Sequence, residues 1–137
     1  MRLWHYKLIP VLPSKMLVSQ WRECIAIKRQ WEKGTLKHRL VSYVTEHPRH
    51  WFLGYVNMVC NELYKRNIKY NQKYLEEIED FCIFLVEPPT NYLEHNDRYL
   101  AQCYFNLQEK YDRGIISQQE WQKIDDLINE VLFKWCM

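Results

Sequence analysis

The sequence predicts an all-α fold, a compact single-domain bundle of about four to six helices spanning residues 1–137. Only three glycines and five prolines interrupt the chain, whereas sandwiches and barrels need turn residues every few positions. Apolar residues recur at helical spacing along most of the sequence. A length of 137 residues with 47% hydrophobic content is sufficient for one buried core.

The first helix is predicted to begin at Ser14, as its N-cap, and to run to about Gln30. The residues of its main apolar stripe are Leu17, Val18, Trp21, Cys24 and Ile25. A second stripe on the opposite side consists of Met16, Gln20, Glu23 and Ile27. We expect the preceding amino-terminal segment to cover this second stripe. Gly34 then interrupts the chain before a short helical or irregular stretch at 38–46.

A second helix is predicted to start at His47-Pro48 and to continue through Tyr64, because proline is tolerated in a first helical turn. Asn71 is the expected cap of a third helix. That region is predicted to end at Pro88-Pro89.

Two more helices are expected in the last third of the chain. Asn96 or Asp97 is predicted to open the fourth, and Gly114 to close it. Ser117 and Glu120 match the S-x-x-E capping box, which predicts the start of the fifth.

The charge of the chain is unevenly distributed. The first 40 residues carry nine Lys or Arg and two acids, a formal charge of +7, whereas the remainder carries −5. Four of the five histidines lie within the first 50 residues. A basic region of this kind suits contacts to the phosphates of nucleic acid, and the competing interpretation is an ordinary solvated surface.

The cysteines indicate free thiols. Five are scattered without a CxxC pair, and no histidines are spaced with them as zinc ligands. The sequence has no signal peptide and no apolar run of membrane-spanning length. We therefore expect a cytoplasmic or nucleoid-associated protein that is not secreted, contacts no membrane and holds no metal.

The amino terminus is the most informative segment for function. A short irregular stretch precedes a helix that carries Arg22 and Glu23, an arrangement that returns a carboxylate to the chain's own α-amino group. An α-amine has a pKa of about 7.7 to 8.0, against about 10.4 for lysine, so a useful fraction is neutral and nucleophilic at pH 7. The Met1 amine is therefore a candidate nucleophile, and the alternative is a frayed, inert terminus.

Several motifs resemble the pyrimidine-dimer DNA glycosylase family of the phage endonuclease V type. They are MRLWH at the start, LIPVLP after it, WREC around Arg22 and Glu23, K-H-x-x-V-x-Y-V from Lys37 to Val44, LYKRNIKY at 63–70, and Y-L-E-H-N-D at 92–97. The resemblance covers nearly the whole chain, and its most specific part is the block through Glu23.

The resemblance implies a metal-free and cofactor-free, all-α enzyme of base-excision repair. In that family the amino-terminal amine attacks C1′ of the damaged nucleotide, the glycosidic bond breaks, and a Schiff base leads to β-elimination. By resemblance, Glu23 is the acid/base carboxylate and Arg22 contacts phosphate near the lesion. The implied partner is double-stranded damaged DNA containing cyclobutane pyrimidine dimers. Separately from the resemblance, we expect the chain to be a monomer.

One departure from the family leaves the nucleophile open. In the phage enzyme a small residue follows the initiator methionine, which is then removed, but Arg2 occupies this position here. A bulky second residue disfavours excision, so the candidate catalytic residues are Met1, Arg2 and Glu23, with the nucleophilic nitrogen on Met1 or on Arg2. The departure also leaves open a different lesion or an activity on abasic sites alone.

The expected DNA contacts come from the basic residues of the first 40 positions. The candidates are His5, Arg22, Lys28, Arg29, Lys37 and His38. The aromatic residues Trp4, Tyr6, Trp21 and Trp31 either line a DNA bend or pack in the core. Two other functions remain as alternatives, a noncatalytic nucleic-acid-binding module and a helical protein-interaction domain.

Overall fold

The computed structural model describes residues 1–82 and 90–133. Within these ranges the chain forms five α-helices and two 3₁₀ helices, and no strand. The α-helices are α1 (Ser14–Lys33), α2 (Arg49–Lys65), α3 (Gln72–Cys82), α4 (Asp97–Asp112) and α5 (Gln118–Val131). The 3₁₀ helices are Tyr6–Val11 and Ser42–Glu46. The predicted all-α bundle is therefore confirmed.

Local sequence signals fix several helix ends. The capping box that opens α5 is present, with Glu120 N donating to Ser117 Oγ at 3.1 Å and Ser117 N donating to Glu120 Oε1 at 2.9 Å. Asn96 caps α4 through a 2.9 Å bond from Tyr99 N to its Oδ1. Gly34 ends α1 at φ 71°, a left-handed conformation that glycine adopts without steric penalty.

The predicted cap of α1 is wrong. Pro13 occupies the N-cap position and Ser14 is the first helical residue, so no side chain caps the helix. The Ser14 hydroxyl instead lies 3.2 Å from Nη1 of Arg66, which donates to it. The predicted break at Pro88-Pro89 lies outside the described residues.

The buried apolar side chains form one cluster. Helix α1 packs against α2 and α3, α4 packs against α5, and the first 3₁₀ helix contacts both α2 and α5. The four cysteines of the described ranges, Cys24, Cys60, Cys82 and Cys103, are free and buried within this bundle. None of the described helices is long and apolar enough to cross a membrane. The single-domain boundary and the monomeric state stay predictions.

The amino-terminal segment covers the second stripe of α1, as expected. Leu3 is fully buried, and Trp4 is 8% exposed above the helix. Gln20, from the polar part of that stripe, is 1% exposed. Because a buried amide needs hydrogen-bond partners, this residue determines how the terminus lies on α1.

Candidate active site at the amino terminus

Side chains from three helices hold the backbone of residues 2–4. Gln20 of α1 accepts a 2.8 Å bond from Trp4 N and donates a 2.9 Å bond to Arg2 O. The hydroxyl of Tyr55, on α2, donates to Trp4 O at 2.6 Å. The hydroxyl of Tyr99, on α4, donates to Leu3 O. The terminus is therefore an ordered part of the bundle and is not frayed.

Glu23 lies beside this ordered terminus. Its Oε2 accepts a 3.2 Å bond from Arg2 N and a 3.2 Å bond from Gln20 Nε2. The α-amino nitrogen of Met1 is one residue before the nitrogen that contacts Glu23, and it lies 3.5 Å from Nε2 of His38. The nitrogen that faces Glu23 is thus a peptide amide while Met1 is in place, and the free amine is its immediate neighbour.

An open pocket of about 260 Å³ lies next to Met1, Arg2 and Glu23. Its lining residues are Met1, Arg2, Trp4, Glu23, Asn106 and Lys110. Asn106 and Lys110 lie on neighbouring turns of α4, and Glu23 lies on α1. The walls of the pocket are therefore formed by two helices and the amino-terminal segment. The pocket combines an amine, a carboxylate, an amide and additional cations, which is a chemistry suited to a phosphorylated sugar.

Arg2 contributes both backbone and side chain to this pocket. Its guanidinium carbon lies 5.2 Å from the centre of the Trp4 ring, within the range of a cation–π contact. Its backbone is bound on both sides, through the amide to Glu23 and through the carbonyl to Gln20. Arg2 therefore connects the carboxylate to the packing of the terminus.

Four of the predicted DNA contacts have exposed side chains. Arg22, Arg29, Lys37 and His38 are solvent-exposed. His38 is the one of these four that contacts Met1 in the described structure. The guanidinium of Arg29 lies 5.2 Å from the ring centre of Tyr74.

The structure does not favour the other two residues as phosphate contacts. His5 is 1% exposed, accepts a 3.1 Å bond from Lys7 N, and stacks on His95 with ring centres 5.4 Å apart. Burial lowers the pKa of His5 from 6.5 to about 4, so it is neutral at pH 7. Lys28 is 8% exposed, and its Nζ lies 3.2 Å from Glu32. Both side chains belong to the packed interior.

The tryptophans of the first 40 residues also pack in the interior. Trp4 and Trp21 are 8% and 6% exposed, and Trp31 packs edge-on against Phe52 and Phe81. The core interpretation fits Trp21 and Trp31. Trp4 is buried as well and also lines the candidate pocket, and Tyr6 lines a separate cavity next to His95.

Sequence reasoning missed three residues of the site. Gln20 was placed on the correct stripe of α1, but nothing in the sequence indicates that its amide contacts both Arg2 and Glu23. Asn106 and Lys110 line the pocket from a helix that follows Glu23 by more than 70 residues. Their spacing of four positions is common to polar helix faces, so no signal marks them.

Within residues 1–82 and 90–133, no three His, Cys, Asp or Glu side chains are grouped to hold a metal ion. The fold and the site define the class of protein: an all-α chain that buries its amino-terminal segment against a helix-borne carboxylate. The model of the pyrimidine dimer DNA glycosylase family matches residues 1–76, and the chain belongs to this family. No curated protein and no solved structure matches the chain.

Membership of this family indicates that the protein is a DNA glycosylase and that its substrate is DNA. The matched residues contain Met1, Arg2, Gln20, Glu23 and His38. The α4 wall of the pocket lies beyond the match.

Proposed function

We propose that this protein cleaves the N-glycosidic bond of a damaged pyrimidine in double-stranded DNA, with the cyclobutane dimer as the lesion, and then nicks the abasic strand by β-elimination. The observation that carries the proposal is the 3.2 Å bond from Arg2 N to the Glu23 carboxylate, directly after the free amine of Met1. An amine and a carboxylate that adjoin in one pocket are the two groups that Schiff-base chemistry at a sugar requires.

The first step is nucleophilic displacement at the sugar. The neutral Met1 amine forms a bond to C1′ while the bond from C1′ to the pyrimidine nitrogen breaks, and the electron pair leaves with the base. The amine loses one proton and the departing base gains one. Glu23 stabilises the positive charge that develops on the sugar and takes part in these proton transfers.

The second step opens the sugar and cleaves the strand. The C1′–O4′ bond breaks, O4′ receives a proton, and C1′ becomes a protonated imine with the Met1 nitrogen. Glu23 then removes a proton from C2′, the C3′–O bond breaks, and the phosphate leaves with its electron pair. Water hydrolyses the remaining imine and regenerates the amine.

Substrate binding in this proposal uses two sets of polar groups. Lys110, Asn106 and Arg2 surround the reacting sugar, because they line the same pocket as Glu23. The exposed side chains of Arg22, Arg29, Lys37 and His38 are the proposed contacts to the DNA backbone. A sugar carbon inside a duplex is reached after the DNA is distorted and a nucleotide is extruded, which backbone contacts of this kind support.

The test is a gel assay on three end-labelled duplexes, which contain one thymine dimer, one abasic site or no lesion. We expect nicking of the first two and none of the third. A chain extended by two residues at its amino terminus should bind the abasic duplex without cleaving it, because a peptide nitrogen forms no Schiff base. Binding by the unextended chain without cleavage of either lesion would refute the proposal in favour of a noncatalytic nucleic-acid-binding module.

A further inference from the structure

The Gln20 side chain is fully engaged by the groups around it. Its Oε1 accepts from Trp4 N at 2.8 Å and lies 3.1 Å from the Tyr55 hydroxyl, and its Nε2 donates to Arg2 O at 2.9 Å. Trp4 N is only a donor and Arg2 O only an acceptor, so the two ends of the amide have a single satisfactory orientation. This orientation directs the second Nε2 proton to Glu23.

Glu23 consequently presents its two carboxylate oxygens differently. Oε2 accepts from Gln20 Nε2 and from Arg2 N, each at 3.2 Å. Oε1 has no hydrogen bond from any of the described residues, and Glu23 lines the pocket that Met1 also lines. One oxygen is thus anchored and the other is available for proton transfer.

We infer that Gln20 is a positioning residue that fixes the Glu23 carboxylate and the Met1–Arg2 backbone in one geometry. The inference rests on the proposed function and adds to it a residue that never touches the substrate. Its physical basis is that proton transfer and nucleophilic attack both depend on distances of a few ångströms, and Gln20 bonds at once to the Glu23 carboxylate and to the carbonyl of Arg2, the residue that follows the proposed nucleophile.

The chemistry of glutamine is specific to this position. Glutamate has the same shape, but it would place a carboxylate oxygen against two acceptors, Arg2 O and Glu23 Oε2. Methionine has a similar length, but it has no N–H groups to donate to Arg2 O and Glu23 Oε2. Gln20→Glu therefore adds a repulsion, and Gln20→Met removes the hydrogen bonds without adding charge.

The experiment measures single-turnover cleavage of the abasic-site duplex by the full chain. Affinity is measured separately on a duplex with a tetrahydrofuran abasic analogue, which the enzyme cannot cleave. The variants are Gln20→Glu, Gln20→Met and the matched control Gln119→Glu, whose side chain is exposed on α5. Far-ultraviolet circular dichroism reports folding, and each substitution is repeated in a Glu23→Gln background.

We expect Gln20→Glu to slow cleavage by about 100-fold and Gln20→Met by about 10-fold, with affinity changed by less than about twofold. In the Glu23→Gln background either change should reduce the remaining rate by a smaller factor than in the wild-type background, since the part of the effect that acts through the Glu23 carboxylate is already lost there. A loss of rate that is the same in both backgrounds overturns the inference.

Unchanged cleavage by a folded Gln20→Met chain also overturns it, and this variant decides the matter if Gln20→Glu does not fold. A wild-type chain that binds and does not cleave overturns the proposed function together with the inference. Wild-type cleavage with unaffected Gln20 variants overturns the inference alone.

Discussion

Replacing Glu23 by glutamine separates the structural role of this side chain from its chemical role. The carboxylate accepts two hydrogen bonds, from Arg2 N and from Gln20 Nε2, both at Oε2. In Glu23→Gln the amide oxygen can occupy the position of Oε2 and accept both bonds. The amide nitrogen then takes the position of Oε1, the oxygen that accepts no hydrogen bond from the described residues.

The expected change in stability is small. A hydrogen bond to a charged acceptor contributes about 1 kcal/mol more than one to a neutral acceptor, and the side chain is partly exposed. The free energy of unfolding should therefore fall by about 1 to 2 kcal/mol at most. The structure of the terminus should be preserved, and so should its affinity for DNA.

The expected change in activity is much larger. An amide neither takes up nor delivers a proton at neutral pH, and general acid–base catalysis contributes about 100- to 10,000-fold to rate. Single-turnover nicking of a thymine-dimer duplex should fall by that factor. The matched control is Glu76→Gln, an exposed residue of α3.

Chemical denaturation and nicking assays on the same preparation test both expectations. A folded Glu23→Gln chain that nicks within about threefold of the wild-type rate would refute a proton-transfer role for Glu23. A chain that loses activity only because it unfolds would refute the structural argument.

Three further predictions concern binding and stability. Lys110→Gln should weaken binding to abasic-site DNA and reduce the slope of log affinity against log salt by about one, and an unchanged slope would exclude a phosphate contact. Burial lowers the pKa of His5 from 6.5 to about 4 and that of His95 to about 3. Below pH 6.5 the unfolded chain thus binds protons that the folded chain does not, so the free energy of unfolding should fall between about pH 6.5 and 4, and less steeply in His95→Phe. Arg66→Ala removes a 2.6 Å bond to Leu12 O and a 3.0 Å bond to Pro10 O at the end of the first 3₁₀ helix, and it should lower stability by about 1 to 3 kcal/mol in thermal unfolding, against no more than about 0.5 kcal/mol for the exposed neighbour Lys65→Ala.

Helix ends were predictable where the signal is local. The Ser117 and Glu120 pair bonds within one turn, and the Asn96 cap does the same, so the residues that matter are three positions apart. Ser14 was predicted to cap α1 because serine is a good cap. The prediction failed because Pro13 takes that position and the Ser14 hydroxyl accepts from Arg66, a partner 52 positions away.

The site was also predictable only in part, because some of its residues meet through contacts between distant parts of the sequence. Met1 and Glu23 belong to sequence motifs within the first 24 residues. In the structure the residues before α1 fold back onto that helix and lie next to Glu23. His5 and Lys28 look like phosphate ligands in a list of basic residues, but helix packing buries both. Lys110 joins the pocket through the packing of α4, a tertiary contact that the sequence pattern does not encode.

The central claim is that the terminal amine of Met1 is the nucleophile. Borohydride reduction during the reaction with abasic-site DNA should trap a covalent adduct, and cleavage of the protein after glutamate yields a peptide of residues 1–23 that also contains Lys7 and Lys15. Fragmentation mass spectrometry of that peptide should place the sugar remnant on the Met1 nitrogen. A remnant on a lysine side chain, or on the Arg2 nitrogen of a chain that lacks Met1, would contradict the account.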